Sequence, residues 1–93
     1  MKLHLHVKTI YFDQIKAGAK TEEYRERTAY LAKRLDTANI SMFDGIVIHN
    51  AYKHGDKNRI EFPWRGWVLK NITHPHFGPS EVVVFAIKLE TSP

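Results

Sequence analysis

The chain opens on a strict alternation. Leu3, Leu5 and Val7 are apolar, while Lys2, His4, His6 and Lys8 are polar. An extended chain sends these two sets to opposite sides, so a half-buried strand is predicted over 2–8. The period then changes. Tyr11, Phe12 and Ile15 fall on one face of a helix over about 10–17, with Thr9 placed to cap it. Gly18 is placed to end it, because glycine takes the left-handed conformation after a helix without a Cβ clash. Residues 19–27 are too polar for a core. If they are extended, Glu23, Arg25 and Arg27 share one side, and Glu22, Tyr24 and Glu26 share the other. Residues 30–35 read as one or two helical turns. Asp44-Gly45 is a turn that opens a β-branched strand over 46–50. A polar loop over 50–59 follows. Strands over 60–62 and 66–72 are then interrupted at Pro63, which cannot donate to a ladder. Residues 74–79 form a second loop. The last strand spans 81–90, and its unbroken apolar run over 82–87 implies burial on both faces, or a central place in a sheet that curls on itself.

This order of elements predicts an α+β protein: a small barrel of strands, with one main helix after the first strand and a second short helix. The 93 residues are enough for one domain over 1–93 and one core. A hydrophobic fraction of 43% with 26% charged residues is too apolar for a disordered chain. The sequence holds no cysteine, which excludes disulfides, thiolate zinc sites, iron–sulfur clusters and a cysteine nucleophile. The run over 82–87 is far shorter than the ~20 residues a membrane helix needs, and the alternating start does not read as a signal-peptide block. A cytoplasmic protein without membrane contact is expected, as a monomer or weak dimer. The net charge of +4 points to an anionic partner. That charge is concentrated. Residues 16–35 carry six Lys/Arg against three Glu, and residues 52–70 carry five Lys/Arg against two acids.

The strongest chemical signal is Gly18-Ala19-Lys20-Thr21-Glu22-Glu23-Tyr24-Arg25, or G-x-K-x-x-E-x-R. The glycine turns the backbone sharply and the lysine follows near the helix end. Glu23 and Arg25, two apart, point to one side of a strand. Together they supply an ammonium for phosphate, a carboxylate that accepts from a base edge or moves a proton, and a guanidinium for bidentate contacts. A second signal is Phe62-Pro63-Trp64-Arg65-Gly66-Trp67, where two indoles and a cation could form a base-stacking platform. Its alternative is that Trp67 is core and Trp64 closes one end of the barrel. His4 with His6, and His74 with His76, have zinc-like spacing. Neither pair has an acid at matching spacing, so no metal or other cofactor is expected, and residues 74–79 are read as a rigid loop near the mouth of the cleft. Tyr52, Lys53, His54, Lys57 and Arg59 form a flexible basic loop suited either to phosphate contact or to solubility.

The G-x-K-x-x-E-x-R segment resembles the signature of the ASCH domain, a family of small proteins with a PUA-like β-barrel. The likeness extends to the start ending in Phe12-Asp13-Gln14-Ile15-Lys16-Ala17-Gly18, to Phe43-Asp44-Gly45-Ile46-Val47-Ile48-His49-Asn50 with its following tyrosine, and to Val84-Phe85-Ala86-Ile87. It covers residues 2–90. The resemblance implies an RNA- or nucleoside-handling module with its cleft beside Gly18, Lys20, Glu23 and Arg25. One branch of ASCH-like proteins deacetylates N4-acetylcytidine, using a threonine three residues after the lysine and a later glutamate; others are described as ribonucleases. Here the threonine position holds Glu23, and Glu61 and Glu81 are the candidates for the later glutamate.

Three readings follow. The first is a module that binds RNA or a modified nucleoside. The second is a hydrolase in the same cleft, acting on N4-acylcytidine or on RNA, with Lys20 as base or stabilising cation, Glu23 as the proton-transfer group and Arg25 as anchor. The third is a protein-docking role through the Trp64 edge, which no residue specifically supports. The expected catalytic set is Lys20, Glu23 and Arg25. The expected ligand contacts are Gly18, Thr21, Tyr24, Arg27, Tyr52, Lys53, Trp64, Arg65 and His74.

Overall fold

The computed structural model describes residues 1–38 and 43–89. In chain order its elements are β1 (Lys2–Val7), α1 (Thr9–Lys16), β2 (Glu22–Glu26), α2 (Ala29–Ala38), β3 (Gly45–Asn50), β4 (Arg59–Pro63), β5 (Trp67–His74) and β6 (Gly78–Lys88). Short 3-10 turns at Asp56–Asn58 and Pro75–Phe77 precede β4 and β6. This is an α+β arrangement. The described strands pair as two three-stranded sheets, β1-β3-β4 and β2-β6-β5.

In the first sheet β3 is central, parallel to β1 and antiparallel to β4. The alternation of β1 does what its pattern dictates: Leu3, Leu5 and Val7 are buried, and the residues between them are exposed. In the second sheet β6 is central and antiparallel to both neighbours. Val84, Phe85, Ala86 and Ile87 are all fully buried. Phe85 and Ile87 belong to the core shared with Leu3, Leu5, Phe12, Leu35, Ile46 and Ile48. Val84 and Ala86 lie on the opposite face, where Lys70 of β5 reaches across β6 to Glu22 of β2 at 2.8 Å. From Val84 to Ile87 the apolar run of β6 is thus buried on both sides, whereas Val83, earlier in the same run, is 44% exposed. The strand starts at Gly78, earlier than its hydrophobic segment; the expected end at residue 90 lies outside the described residues.

Several local details depart from the sequence reading. Thr9 does not cap α1. Lys8 takes that position without a side-chain bond, and the Thr9 hydroxyl donates instead to Asn50 Oδ1 at 3.0 Å. The second helix is longer than expected, running over Ala29–Ala38; Thr28 caps its start, where its Oγ1 accepts from the Leu31 N–H at 3.2 Å. Of the two readings of Trp64 and Trp67, the structure favours packing against the core over an open stacking platform. Trp64 packs edge-on against Phe43 at 5.2 Å and Trp67 against Phe85 at 4.7 Å, both half-buried against the core. An indole carries so much apolar area that burial wins over display. The loop before β4 is anchored near its two ends. It is tied by the Asn50 side chain, 3% exposed, and by backbone bonds from Ala51 to Val7 and from Asn58 to Gly55. No helix among the described residues is long and apolar enough to cross a membrane.

Phe85 fills the junction of core and second sheet, with no accessible surface. Phe85→Ala is expected to lower stability by about 3–5 kcal/mol, seen as a lower urea midpoint at unchanged slope.

Candidate functional site

The end of α1 sets the position of Lys20. Gly18 has φ +79°, and its N–H bonds to the Ile15 carbonyl at 3.1 Å while that of Ala19 bonds to Gln14 at 2.9 Å. This pair of bonds is a Schellman motif, which needs the left-handed residue that glycine supplies. The Lys20 N–H joins the same Gln14 carbonyl at 3.1 Å, so the lysine leaves the helix end in a fixed direction.

Glu23 is buried, at 6% exposure, on the face of β2 that looks toward the core. A carboxylate there must be compensated. Arg25 does so through Nε at 3.0 Å and a second guanidinium nitrogen at 2.9 Å, both to Oε2. Lys20 Nζ stands 3.7 Å from Oε1, an ion pair too long for a hydrogen bond. The remaining reach of Arg25 is structural: it donates to the His6 carbonyl at 2.7 Å, tying β2 to β1 of the other sheet. Lys20 also lies 4.5 Å from the centre of the Tyr24 ring and 5.6 Å from that of Tyr11, a cation–π arrangement.

These groups line a cavity of about 390 Å³. One wall is β2. The others are the end of β1 with Lys8, the first turn of α1 at Tyr11, the start of α2, and the turn holding His74, His76 and Phe77. Five rings converge there. Tyr11 lies 5.8 Å from His74 and 6.0 Å from His76, His74 lies 6.2 Å from Tyr24, and Phe77 packs against both histidines. Among the described residues the wall carries Lys8, Lys20, Arg25 and three histidines against two carboxylates, Glu23 and Glu26.

Burial pulls the Lys20 ammonium below its ordinary 10.5, and the Glu23 carboxylate opposes the shift without cancelling it. Glu22 behaves differently. Burial pushes its carboxyl up, but the hydrogen bonds from Lys70 and Tyr24 outweigh that, and it titrates below 4.5. Tyr24 is raised above 10, first by burial and then by its bond to Glu22.

Of the expected catalytic and ligand-contact residues, Lys20, Glu23, Tyr24, Arg25 and His74 meet at this cavity, together with His6 and His76 of the two histidine pairs. The other expected residues do not line it. Gly18 shapes the approach. Thr21 is exposed, and its carbonyl accepts from Leu89. Arg27 is exposed beyond the end of β2, and Tyr52 is 70% exposed. Trp64 and Arg65 lie beside the β4–β5 connection, and Lys53 sits in a neighbouring hollow. Neither candidate for a later glutamate reaches the cavity: Glu61 pairs with Lys2 on the outer face of the first sheet, and Glu81 is exposed on β6. His76 and Phe77 come from the loop that the sequence placed near the mouth of the cleft, whereas sequence reasoning missed Tyr11 and Glu26. Tyr11 reads as a core position of α1, and only its hydroxyl hinted at a wetter site.

The other histidine pair joins a third ring. His49 stacks between His4 and His6 at centroid distances of 5.2 and 4.7 Å, with His4 Nδ1 2.9 Å from His49 Nε2. Burial, and then the charges of His6 and His4, hold His49 below 6.5. No group of three or more His, Cys, Asp or Glu among the described residues is placed to hold a metal ion.

No protein-family model, curated protein or solved structure matches the chain at a significant level.

Two outcomes follow from the lysine. Because its folded value lies below the unfolded 10.5, the unfolded chain binds more protons in that window, and stability gains with pH there. Lys20→Met removes this gain, so urea unfolding of the two proteins should diverge in favour of the wild type as pH rises toward 10.5. Glu23→Gln removes the largest opposing charge, and NMR titration of the Lys20 ammonium should show a still lower value.

Proposed function

We propose that this protein is an ASCH-type domain with a PUA-like barrel architecture, and that its cleft binds RNA or a modified nucleoside. The observation that carries the reading is the convergence of Lys20, Glu23 and Arg25 with the rings of Tyr11, Tyr24 and His74 in one cavity. A nucleobase offers a flat π face and a polar edge. The rings supply stacking surface, and Lys20 and the free edge of the Glu23 carboxylate supply a donor and an acceptor. A volume near 390 Å³ is at the small end of ligand pockets, suited to one base with its sugar. The G-x-K-x-x-E-x-R signature and the order of the elements support the family reading.

Hydrolysis at the same place is the second reading, favoured by one observation: a desolvated lysine of lowered pKa stands 3.7 Å from a buried carboxylate. On an N4-acylcytidine, the neutral Lys20 amine would take a proton from water as its oxygen attacks the acyl carbon. It would return that proton to N4 as the carbon–nitrogen bond breaks, leaving a carboxylic acid and cytidine. With Glu61 and Glu81 remote, Glu23 and Glu26 are the carboxylates at hand.

The purified protein incubated with N4-acetylcytidine, and separately with labelled single-stranded RNA, decides between them. For a hydrolase, product forms and Lys20→Ala slows it by ~10²–10⁴-fold; full turnover in the variant counts against the mechanism. For a binding module, substrates stay intact and RNA affinity falls steeply between about 50 and 200 mM salt. Affinity that ignores salt defeats that reading.

A further inference from the structure

The cavity does not end at His6. Beyond His6 and Ala51, which belong to both walls, lies a second hollow of about 200 Å³ between the ends of β1 and β3 and the loop before β4. Its charged lining is Lys53 and Arg59, joined by the imidazoles of His6, His49 and His54, against one carboxylate, Asp56. That carboxylate is 95% exposed and touches Arg59 only at 3.4 Å, so the pair is weak and the hollow keeps a surplus of N–H donors.

The hollow is also held in shape. Asn50 Oδ1 accepts from the Thr9 hydroxyl and from the Tyr52 N–H, each at 3.0 Å. The Ala51 N–H bonds to Val7 at 2.8 Å, and the Asn58 amide nitrogen bonds to the His54 carbonyl at 2.9 Å. Gly55 sits at φ +101°, a conformation side chains avoid. A donor-rich concavity fixed before any ligand arrives avoids most of the ordering cost of binding an anion. The two basic segments of the sequence therefore meet in space. Lys20 and Arg25 serve the first cavity, Lys53 and Arg59 serve the second, and His6 stands between them.

We propose that this second hollow is a phosphate subsite, so that the ligand is a nucleotide or a stretch of single-stranded RNA and not a free nucleoside. The assignment of what fills the first cavity rests on the nucleoside reading; the anion affinity of the hollow does not. Two measurements test it on the intact chain: NMR mapping with inorganic phosphate, and affinities for cytidine, cytidine 5′-monophosphate and a short oligocytidylate. Phosphate should shift the amide signals of Lys53, His54, Gly55 and Arg59. The monophosphate should bind ~10-fold tighter than cytidine, as charge-assisted bonds allow. Arg59→Gln, and separately Lys53→Gln, should shrink that ratio toward one; both positions are exposed, and a thermal melt checks that each variant folds. An oligonucleotide that binds tighter than the monophosphate identifies RNA as the source of the phosphate, and equal binding identifies a mononucleotide. Phosphate shifts at the hollow with no response at Tyr11 or Tyr24 to cytidine would retain the subsite and discard the nucleoside reading. Cytidine binding with no gain from its phosphate, and no phosphate shifts, overturns the subsite.

Discussion

A carboxylate on a buried strand face is expensive unless its charge is met, and Glu23 is such a group. Its need fixes Arg25 beside it on β2 and draws Lys20 in from the helix end. The same guanidinium reaches the His6 carbonyl and so joins the β2-β6-β5 sheet to the β1-β3-β4 sheet at the point where the cavity opens. Fold and site are therefore one electrostatic unit. The residues that neutralise the buried charge are also those that line the cavity, and none can change without disturbing both.

The elements were legible where a single period governs burial. Leu3, Leu5 and Val7 announce β1, and the run from Val82 to Ile87 announces a strand with two covered faces, which holds from Val84 onward. What sequence could not supply was competition between partners. Thr9 looks like a cap, yet its hydroxyl goes to Asn50, more than forty residues away. Trp64 and Arg65 look like a stacking pair, but packing against Phe43 claims the indole. At the site, the spacing of Lys20, Glu23 and Arg25 was enough to find the polar cluster, because it depends on one turn and one strand. The aromatic wall was legible in part: Tyr24, His74 and the loop over 74–79 were expected there, and Tyr11 was not. Tyr11 comes from a helix, Tyr24 from an edge strand, His74 from the end of β5, and His76 and Phe77 from the turn after it; only tertiary structure brings Tyr11 to the others.

Polar side chains at the ends of elements do much of the positioning. Asn50 closes β3 and holds both the start of α1 and the loop after it, and the glycine-dependent end of α1 aims Lys20. Neither is part of the cavity's polar cluster, yet each determines where that chemistry sits. The clasp from Lys70 to Glu22 does the same for β2, holding this edge strand in place across β6.

The parallel pairing of β1 with β3 has a kinetic side. Leu3 finds Ile46 only after the intervening chain has been looped out, and β2, within that loop, belongs to the other sheet. The adjacent β5 and β6 need close only the short turn around Pro75. Loop entropy thus favours the hairpin as the early structure and leaves the β1–β3 and β2–β6 ladders, both between strands far apart in the chain, for later. The cavity, whose walls include β2 and the end of β1, is completed only when these long-range ladders form. A full-length but partly unfolded chain would carry the hairpin and not the site.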